Sequence, residues 1–282
     1  MRIYTQKNEL KKALSPYQNE GKSIGFVPTM GALHDGHLSL ISKSLQENDV
    51  TILSIFVNPT QFNNPDDLAK YPRTLEADVT KITKISKNVI IYAPEAEDIY
   101  GEEVVAEEFN FEGLDKVMEG EFRPCHFDGV GTIVKKLFEV VSPTKAYFGE
   151  KDYQQLLIIK KMVEQTQMPV QIIGCPIIRD ENGLALSSRN ERLSPEMKLR
   201  ASLIYRTLSE TKKRFESQSV TEVESWVKNA FNGVDKFDLE YFTIADSQTL
   251  LPVKEKKQGQ KYRAFIVVFV DGVRLIDNIE FV

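Results

Sequence analysis

An almost uninterrupted apolar run over residues 50–57, Val-Thr-Ile-Leu-Ser-Ile-Phe-Val, constrains the fold most. A strand with one face in water alternates apolar and polar residues, whereas a strand of a parallel sheet is covered on both faces. This run is too continuous for a half-exposed strand. It therefore predicts a buried strand of a parallel sheet.

Strands and helices alternate through about residue 176, which predicts a doubly wound, Rossmann-like parallel α/β sheet. Short apolar runs indicate further strands at 24–27, 88–92, 146–148 and 170–173. Apolar residues at helical spacing indicate helices at 38–45, over much of 66–86, at 130–141 and near 153–165. In such a sheet the ligand lies beyond the carboxyl ends of the strands.

The pattern changes after residue 176, because helices are then followed by strands that suit an antiparallel sheet. Helices are expected near 195–216 and 220–231, and strands near 238–245, 262–270 and 273–280. Asp271-Gly272 joins the last two runs and is a strong hairpin signal. We expect an α/β domain at 1–175 and a smaller α+β domain at 176–282.

Composition excludes several classes of protein. The 282-residue chain has a formal net charge of −5, which argues against a nucleic-acid surface. Its two cysteines form no Cys-x-x-Cys pair, which suits a reducing cytoplasm. Neither a signal peptide nor an apolar run of membrane-spanning length is apparent in the sequence. We therefore expect no nucleic-acid or membrane partner.

Residues 28–37, Pro-Thr-Met-Gly-Ala-Leu-His-Asp-Gly-His, connect a predicted strand to a predicted helix. Free N–H groups and the dipole at a helix start favour phosphate, and Gly31 and Gly36 allow the backbone to approach it. His34 and His37 can both donate to phosphate oxygens. Helix capping is the simpler alternative. A zinc site is a further alternative, but no Cys or acidic cluster accompanies the pair.

Three more segments carry polar side chains suited to a charged ligand. Gln61 follows the 50–57 run and offers an amide donor and acceptor. Lys151 supplies a point charge for phosphate after the 146–148 strand, and Asp152 can cap a helix or accept from a ribose hydroxyl. Residues 187–189, Ser-Ser-Arg, suit a polyphosphate. Each segment alone has an ordinary reading as a polar loop.

Cys125-His126 raises the question of a thiol nucleophile. Adjacent residues point in different directions, whereas a catalytic Cys–His pair meets in space. We therefore interpret this segment as a pocket wall that begins the next helix.

Taken together, the motifs resemble the pantoate–β-alanine ligase family of the HIGH-type nucleotidyltransferase superfamily. The matching motifs are Pro-Thr-Met-Gly-Ala-Leu-His-x-Gly-His, Phe-Val-Asn-Pro-x-Gln-Phe, Gly-Glu-Lys-Asp-Tyr-Gln-Gln and Ser-Ser-Arg-Asn, in the family's order and spacing. Ser187-Ser188-Arg189 stands where related enzymes carry a Lys-Met-Ser-Lys-Ser loop. Cys125 and Leu186 depart from the Gly and Met common in the family.

The resemblance implies the site residues. It implies that His34, His37, Lys151, Ser187, Ser188 and Arg189 are catalytic, and that Gln61 and Gln155 hold pantoate, with Gln61 also near β-alanine. The implied ATP site comprises Met30, Gly31, Ala32, Leu33, His34, Asp35, Gly36, His37, Gly149, Glu150, Lys151, Asp152, the backbone at Ile178, Leu186, Ser187, Ser188 and Arg189. No protein ligand of a metal is implied. The resemblance also implies Mg²⁺ and a homodimer.

The implied reaction joins pantoate to β-alanine through pantoyl adenylate, releasing pyrophosphate and then AMP. Alternatives are a nucleotidyltransferase acting on a phosphate substrate and a non-catalytic nucleotide sensor. The acidic charge and the lack of an RNA-binding domain disfavour a tRNA synthetase.

Overall fold

The computed structural model describes residues 1–63 and 65–281 and divides them into two compact units. The first unit comprises Met1–Glu150 and Gln154–Pro176, and the second comprises Lys151–Tyr153 and the residues from Ile177 onward. The second unit therefore includes three residues that precede the expected boundary at 175/176.

The first unit is built on a six-stranded parallel sheet in the order β1-β4-β3-β2-β5-β6. Its strands are β1 (Arg2–Tyr4), β2 (Ile24–Thr29), β3 (Val50–Ile55), β4 (Ile90–Tyr92), β5 (Lys145–Gly149) and β6 (Gln171–Cys175). The predicted doubly wound sheet is confirmed. Only β1 lacked a sequence prediction, because three residues are too few to show a period.

The apolar run that predicted a buried strand forms β3, which lies between β4 and β2. All of its residues except Ile55 are buried. The chain proceeds from β2 to β3 on one side of the sheet and from β5 to β6 on the other. The order of the strands therefore reverses between β2 and β5, and ligands of doubly wound sheets bind at this point.

Helices cover both faces of this sheet, as such folds require. The helices in this part of the chain are α1 (Lys7–Asn19), α2 (Asp35–Glu47), α3 (Pro65–Lys70), α4 (Leu75–Ile85), α5 (Ala96–Tyr100), α6 (Glu119–Phe122), α7 (His126–Val141) and α8 (Tyr153–Thr166). The single helix predicted to cover much of 66–86 is instead two helices, because residues 71–74 separate α3 from α4. Pro72 explains the break, since it lacks an N–H and disfavours a helical conformation of the preceding residue.

The second unit packs two helices on an antiparallel sheet in the order β7-β8-β9. Its elements are α9 (Pro195–Ser217), α10 (Val220–Phe231), β7 (Phe237–Asp246), β8 (Tyr262–Val270) and β9 (Val273–Phe281). Asp271 and Gly272 have φ of 49° and 77° in the predicted hairpin, as a type I′ turn requires. Within the described part of the chain, no helix combines the length and apolarity needed to cross a bilayer.

Candidate active site

The loop between β2 and α2 turns sharply just before the two histidines. Gly31 and Ala32 have φ of 82° and 48°, in the left-handed region that favours glycine. A Cβ on Gly31 would also lie 3.1 Å from Ile55 Cγ2 and 3.2 Å from Asp78 Oδ2. Glycine at position 31 therefore meets both a conformational and a spatial requirement of this loop.

A buried carboxylate on α4 holds this turn. Asp78 Oδ2 accepts from Ala32 N at 2.9 Å, and Asp78 Oδ1 accepts from Leu33 N at 2.7 Å. Lys81, one turn further along α4, donates to the carbonyl of Leu33 at 2.6 Å. Sequence reasoning had no basis for selecting Asp78, because an acidic residue in the first turn of a helix is common wherever that helix packs.

His34 and His37 cap α2 reciprocally. His34 Nδ1 accepts from the N–H of Gly36 at 3.2 Å, and His37 Nδ1 accepts from the N–H of His34 at 3.3 Å. The ring centroids are 4.1 Å apart. Since an Nδ1 that accepts carries no proton, each neutral ring carries its proton on Nε2. The capping role and the ligand role of this pair are therefore compatible, because they use different ring nitrogens.

Most of the backbone N–H groups expected to bind phosphate here already have acceptors within the chain. Asp78 accepts from the N–H groups of Ala32 and Leu33, and the two imidazoles accept from those of His34 and Gly36. An N–H that already has a charged or aromatic acceptor must lose it to bind an oxyanion. If phosphate binds at this helix start, as predicted, side chains are therefore better placed than backbone N–H groups to donate to it.

Gln61 lies in a short 3₁₀ helix, Pro59–Gln61, that follows β3. Its Oε1 accepts from Asn58 Nδ2 at 3.2 Å, and its Nε2 lies 3.1 Å from Met30 Sδ. The structure thus brings together two predicted site residues from the ends of β3 and β2. Asn58 is only 1% exposed and also accepts from the Tyr100 hydroxyl at 2.6 Å. Burial raises the pKa of Tyr100, so this hydroxyl remains a donor.

The start of α7 holds the backbone of Gln61. His126 Nδ1 lies 2.8 Å from the Gln61 carbonyl, and because a carbonyl only accepts, this nitrogen carries the proton. Gly129 lets the two helices approach, since a Cβ there would lie 2.4 Å from the carbonyl of Thr60. The structure therefore confirms that this segment begins a helix beside a predicted substrate residue. Cys125 precedes the helix, exposed and with φ of 60°, a left-handed conformation that favours glycine.

Two adjacent glutamines in α8 have different roles. Gln154 is buried, and its amide donates to the carbonyls of Leu114 and Val117 at 2.7 and 2.8 Å. Gln155 is half-buried, and its amide has no hydrogen-bond partner among the residues that the structure describes. An amide without an internal partner is suited to a ligand, so the geometry favours Gln155 over Gln154 as the substrate residue.

Lys151 and Asp152 belong to the second unit, immediately after Gly149 and Glu150 of the first. Lys151 Nζ lies 3.9 Å from Asp152 Oδ1, in a loose pair whose aspartate is half-exposed. The carbonyl of Lys151 accepts from Asn278 Nδ2 at 2.9 Å. The lysine is therefore anchored through its backbone while its ammonium group makes only a weak ion pair.

The remaining predicted residues lie on a hairpin of the second unit. The carbonyl of Ile178 accepts from Leu186 N at 2.9 Å, which brings these two residues together. Ser187 Oγ accepts from Arg189 N at 3.2 Å and begins a 3₁₀ helix, Ser188–Arg192. Because a hydroxyl that accepts can still donate, Ser187 retains a proton for a phosphate oxygen.

The base of this hairpin is fixed by a buried ion pair. Arg179 donates to both oxygens of Asp277, at 2.6 and 2.9 Å, and stacks 3.8 Å from the Tyr205 ring centroid. Burial raises the pKa of Asp277, and Arg179 opposes that shift. The pair is committed to structure and is not suited to a ligand.

The described residues contain no group of three His, Cys, Asp or Glu side chains that could hold a metal ion. The zinc alternative for His34 and His37 therefore has no ligand set in this part of the chain.

Known proteins provide the decisive comparison. A family model described as pantoate-beta-alanine ligase matches residues 2–280. The pantothenate synthetase of Flavobacterium psychrophilum is 56% identical over 279 residues, covering 99% of both chains. The pantothenate synthetase of Bacteroides fragilis strain YCH46 is 48% identical over 281 residues, covering 100% of this chain and 99% of the relative.

The chain belongs to the pantoate–β-alanine ligase family. Its fold agrees with the crystal structure of the pantothenate synthetase from Thermus thermophilus, with a TM-score of 0.89 and 40% identity over 99% of both chains. The Francisella tularensis pantoate–β-alanine ligase, solved with beta-gamma ATP and β-alanine, has a TM-score of 0.76 and 34% identity, covering 99% of this chain and 97% of that one.

Membership in the pantoate–β-alanine ligase family confirms the resemblance carried by the motifs. The chain is an enzyme, and its reaction is the ATP-dependent ligation of pantoate and β-alanine. A nucleotide sensor and a nucleotidyltransferase acting on phosphate are thereby rejected. The roles of individual residues stay predictions, to which the hydrogen-bond geometry above adds physical support.

Proposed function

We propose that this ligation runs through pantoyl adenylate, with charge neutralisation by His34, His37, Lys151 and Arg189 in the first step. The pantoate carboxylate attacks the α-phosphorus of ATP, a carboxyl O–P bond forms, and the bond to pyrophosphate breaks. A carboxylate is ionised at neutral pH, so this step needs positioning and charge stabilisation rather than a general base.

The tautomer of the two histidines carries this proposal. Because both Nδ1 atoms accept from the backbone, the Nε2–H edges are the proton-bearing edges at the carboxyl end of β2. Preorganised donors of this kind stabilise developing charge without reorganising during the reaction. The hydroxyl groups of Ser187 and Ser188 are proposed to donate hydrogen bonds to the same polyphosphate. The segments 30–37 and 149–152, the backbone at Ile178, and Leu186 are proposed to bind the rest of ATP.

In the second step, the neutral amine of β-alanine attacks the acyl carbon, a C–N bond forms, the acyl C–O bond to AMP breaks, and the nitrogen releases one proton to solvent. We propose that Gln155 and Gln61 hold pantoate throughout, and that Gln61 also lies near β-alanine. The mixed anhydride hydrolyses readily, so water must be excluded during this step. We propose the smaller C-terminal domain as a lid, a type of element that commonly serves this purpose.

We propose that Mg²⁺ enters as part of the MgATP substrate. Mg²⁺ commonly keeps several waters and binds through substrate phosphates, which suits described residues that offer no cluster of three ligands.

We propose a reducing cytoplasm as the compartment, since Cys125 and Cys175 form no disulfide. The homodimer is proposed on family resemblance, and sedimentation of the purified chain tests it.

Pyrophosphate exchange tests the two-step scheme. ATP and pantoate alone should support incorporation of labelled pyrophosphate into ATP, because the first step is reversible and needs no amine. Exchange that requires β-alanine would instead indicate a concerted reaction. Omitting pantoate is the matched control, since exchange without it would reveal adenylation of something else.

A further inference from the structure

The C-terminal strand β9 holds the backbone of Lys151. Asn278 lies on β9 and is only 2% exposed. Its Nδ2 donates to the carbonyl of Lys151 at 2.9 Å, across 127 positions of sequence. Its Oδ1 accepts from a guanidinium nitrogen of Arg263 on β8 at 2.5 Å. One buried amide therefore links the sheet of the second unit to a residue predicted to act on ATP.

The chemistry of its partners fixes the orientation of this amide. A guanidinium only donates and a carbonyl only accepts, so Oδ1 must face Arg263 and Nδ2 must face Lys151. An aspartate of the same shape would satisfy Arg263 but would direct an oxygen at the Lys151 carbonyl. Position 278 therefore requires a side chain that accepts at one atom and donates at another.

A second attachment fixes the other end of the same short segment. The guanidinium of Arg263 lies 3.8 Å from the ring centroid of Tyr153, and the Tyr153 hydroxyl donates to the carbonyl of Ser247 at 3.0 Å. Lys151–Tyr153 is thus tied to β8 and β9 through a backbone bond, a stacked ring and a hydroxyl. The segment belongs to the second unit, as β8 and β9 do.

We propose that Asn278 is a positioning residue for the adenylation step, acting through the backbone of Lys151. This inference rests on the proposed function of Lys151. A lysine is a flexible point charge, and its Cα position sets the region its ammonium group can reach. Loss of the hydrogen bond to the Lys151 carbonyl should therefore slow the first step. It should spare the second step, in which no charge develops on a departing pyrophosphate.

Single-turnover kinetics from two starting points test the proposal. Asn278→Asp and Asn278→Ala should slow pantoyl adenylate formation from ATP and pantoate by about 10²-fold, a typical cost of misplacing a group by about 1 Å. The same variants, given preformed pantoyl adenylate and β-alanine, should stay within a few-fold of the parent chain. Arg274→Ala is the control. Arg274 lies on β9, as Asn278 does, but its side chain pairs with Glu240, so its loss should affect neither reaction strongly.

A double-mutant cycle separates this inference from the function assigned to Lys151. In a Lys151→Ala background, Asn278→Asp should cause almost no further loss, because it acts through the missing ammonium group. Normal adenylation by Lys151→Ala would overturn the role of Lys151 itself. Two other outcomes would overturn the positioning role of Asn278 alone. In one, Lys151→Ala is slow but the effects of the two substitutions on the adenylation rate are fully additive. In the other, the Asn278 variants are equally slow from ATP and from preformed pantoyl adenylate. Asn278→Asp is isosteric and keeps Arg263 paired, so it carries the test if Asn278→Ala does not fold.

Discussion

Asp78 offers the sharpest test of how the chain builds its proposed adenylation site. It is fully buried on α4, and its two oxygens accept from the N–H groups of Ala32 and Leu33. Asp78→Ala leaves both donors without their acceptor in a turn whose φ values are 82° and 48°. Each donor left without its acceptor costs about 1–3 kcal/mol.

We expect the loop that carries His34 and His37 to lose about 2–4 kcal/mol of stabilisation and to become disordered. Since about 1.36 kcal/mol corresponds to a factor of ten, kcat/KM for pyrophosphate exchange should fall by about 30- to 10³-fold. Asp78→Asn keeps one acceptor oxygen and turns an N–H group toward the other donor. Its defect should therefore be smaller than that of Asp78→Ala but distinct from the parent chain.

The matched control is Asp98, a second carboxylate that accepts from a backbone N–H. Asp98 Oδ2 accepts from Lys7 N at 2.8 Å and from the Tyr92 hydroxyl at 2.6 Å, and none of these residues is predicted to bind substrate. Asp98→Ala should lower the melting temperature and leave exchange by the folded protein near the parent value. If the two alanine variants lose stability and exchange in the same proportion, Asp78 is merely structural and the reasoning is refuted.

The other predictions concern single positions. Gln155→Ala should raise KM for pantoate and leave the affinity for ATP, measured by titration, unchanged. Gln154→Ala, which removes buried hydrogen bonds, should mainly lower the melting temperature. If Gln155→Ala weakens ATP binding as much as pantoate use, the assignment of Gln155 to pantoate is contradicted. Cys125→Gly should raise the free energy of unfolding by up to about 1 kcal/mol, by relieving left-handed backbone, and Cys125→Ser should keep turnover within a few-fold. Abolished turnover in a folded Cys125→Ser variant would show a role for the thiol. Long-range ¹⁵N spectra of the neutral rings should show the proton on Nε2 of His37 and on Nδ1 of His126, and the reverse assignment would contradict the capping geometry.

The sequence allowed the sheet to be predicted because covered strands have a local signature. The apolar run of β3 and the Asp271-Gly272 turn depend on residues close in sequence, and both appear in the structure as expected. The single helix predicted over much of 66–86 is divided in two at Pro72, because helical spacing on both sides of the proline masks the interruption in the sequence. Local signals thus determined the elements better than their boundaries.

Contacts between distant residues could not be predicted in this way. Asp78 reaches Leu33 across 45 positions, and Asn278 reaches Lys151 across 127. Nothing in the periodicity around Asp78 or Asn278 distinguishes a buried hydrogen-bonding residue from an ordinary polar one. Motif resemblance selects residues predicted to touch substrate, whereas the groups that hold them are defined only by packing.

The use of backbone donors has a further consequence for how this family member recognises ATP. Four successive or nearby N–H groups, at Ala32, Leu33, His34 and Gly36, already have acceptors within the chain. A small anion such as inorganic phosphate should therefore bind these N–H groups poorly, because it would have to displace a buried carboxylate or an imidazole. Affinity must come from side-chain donors that act together, and such a set favours a polyphosphate over a single small anion. Inorganic phosphate should accordingly inhibit the forward ligation far more weakly than pyrophosphate, its product, does.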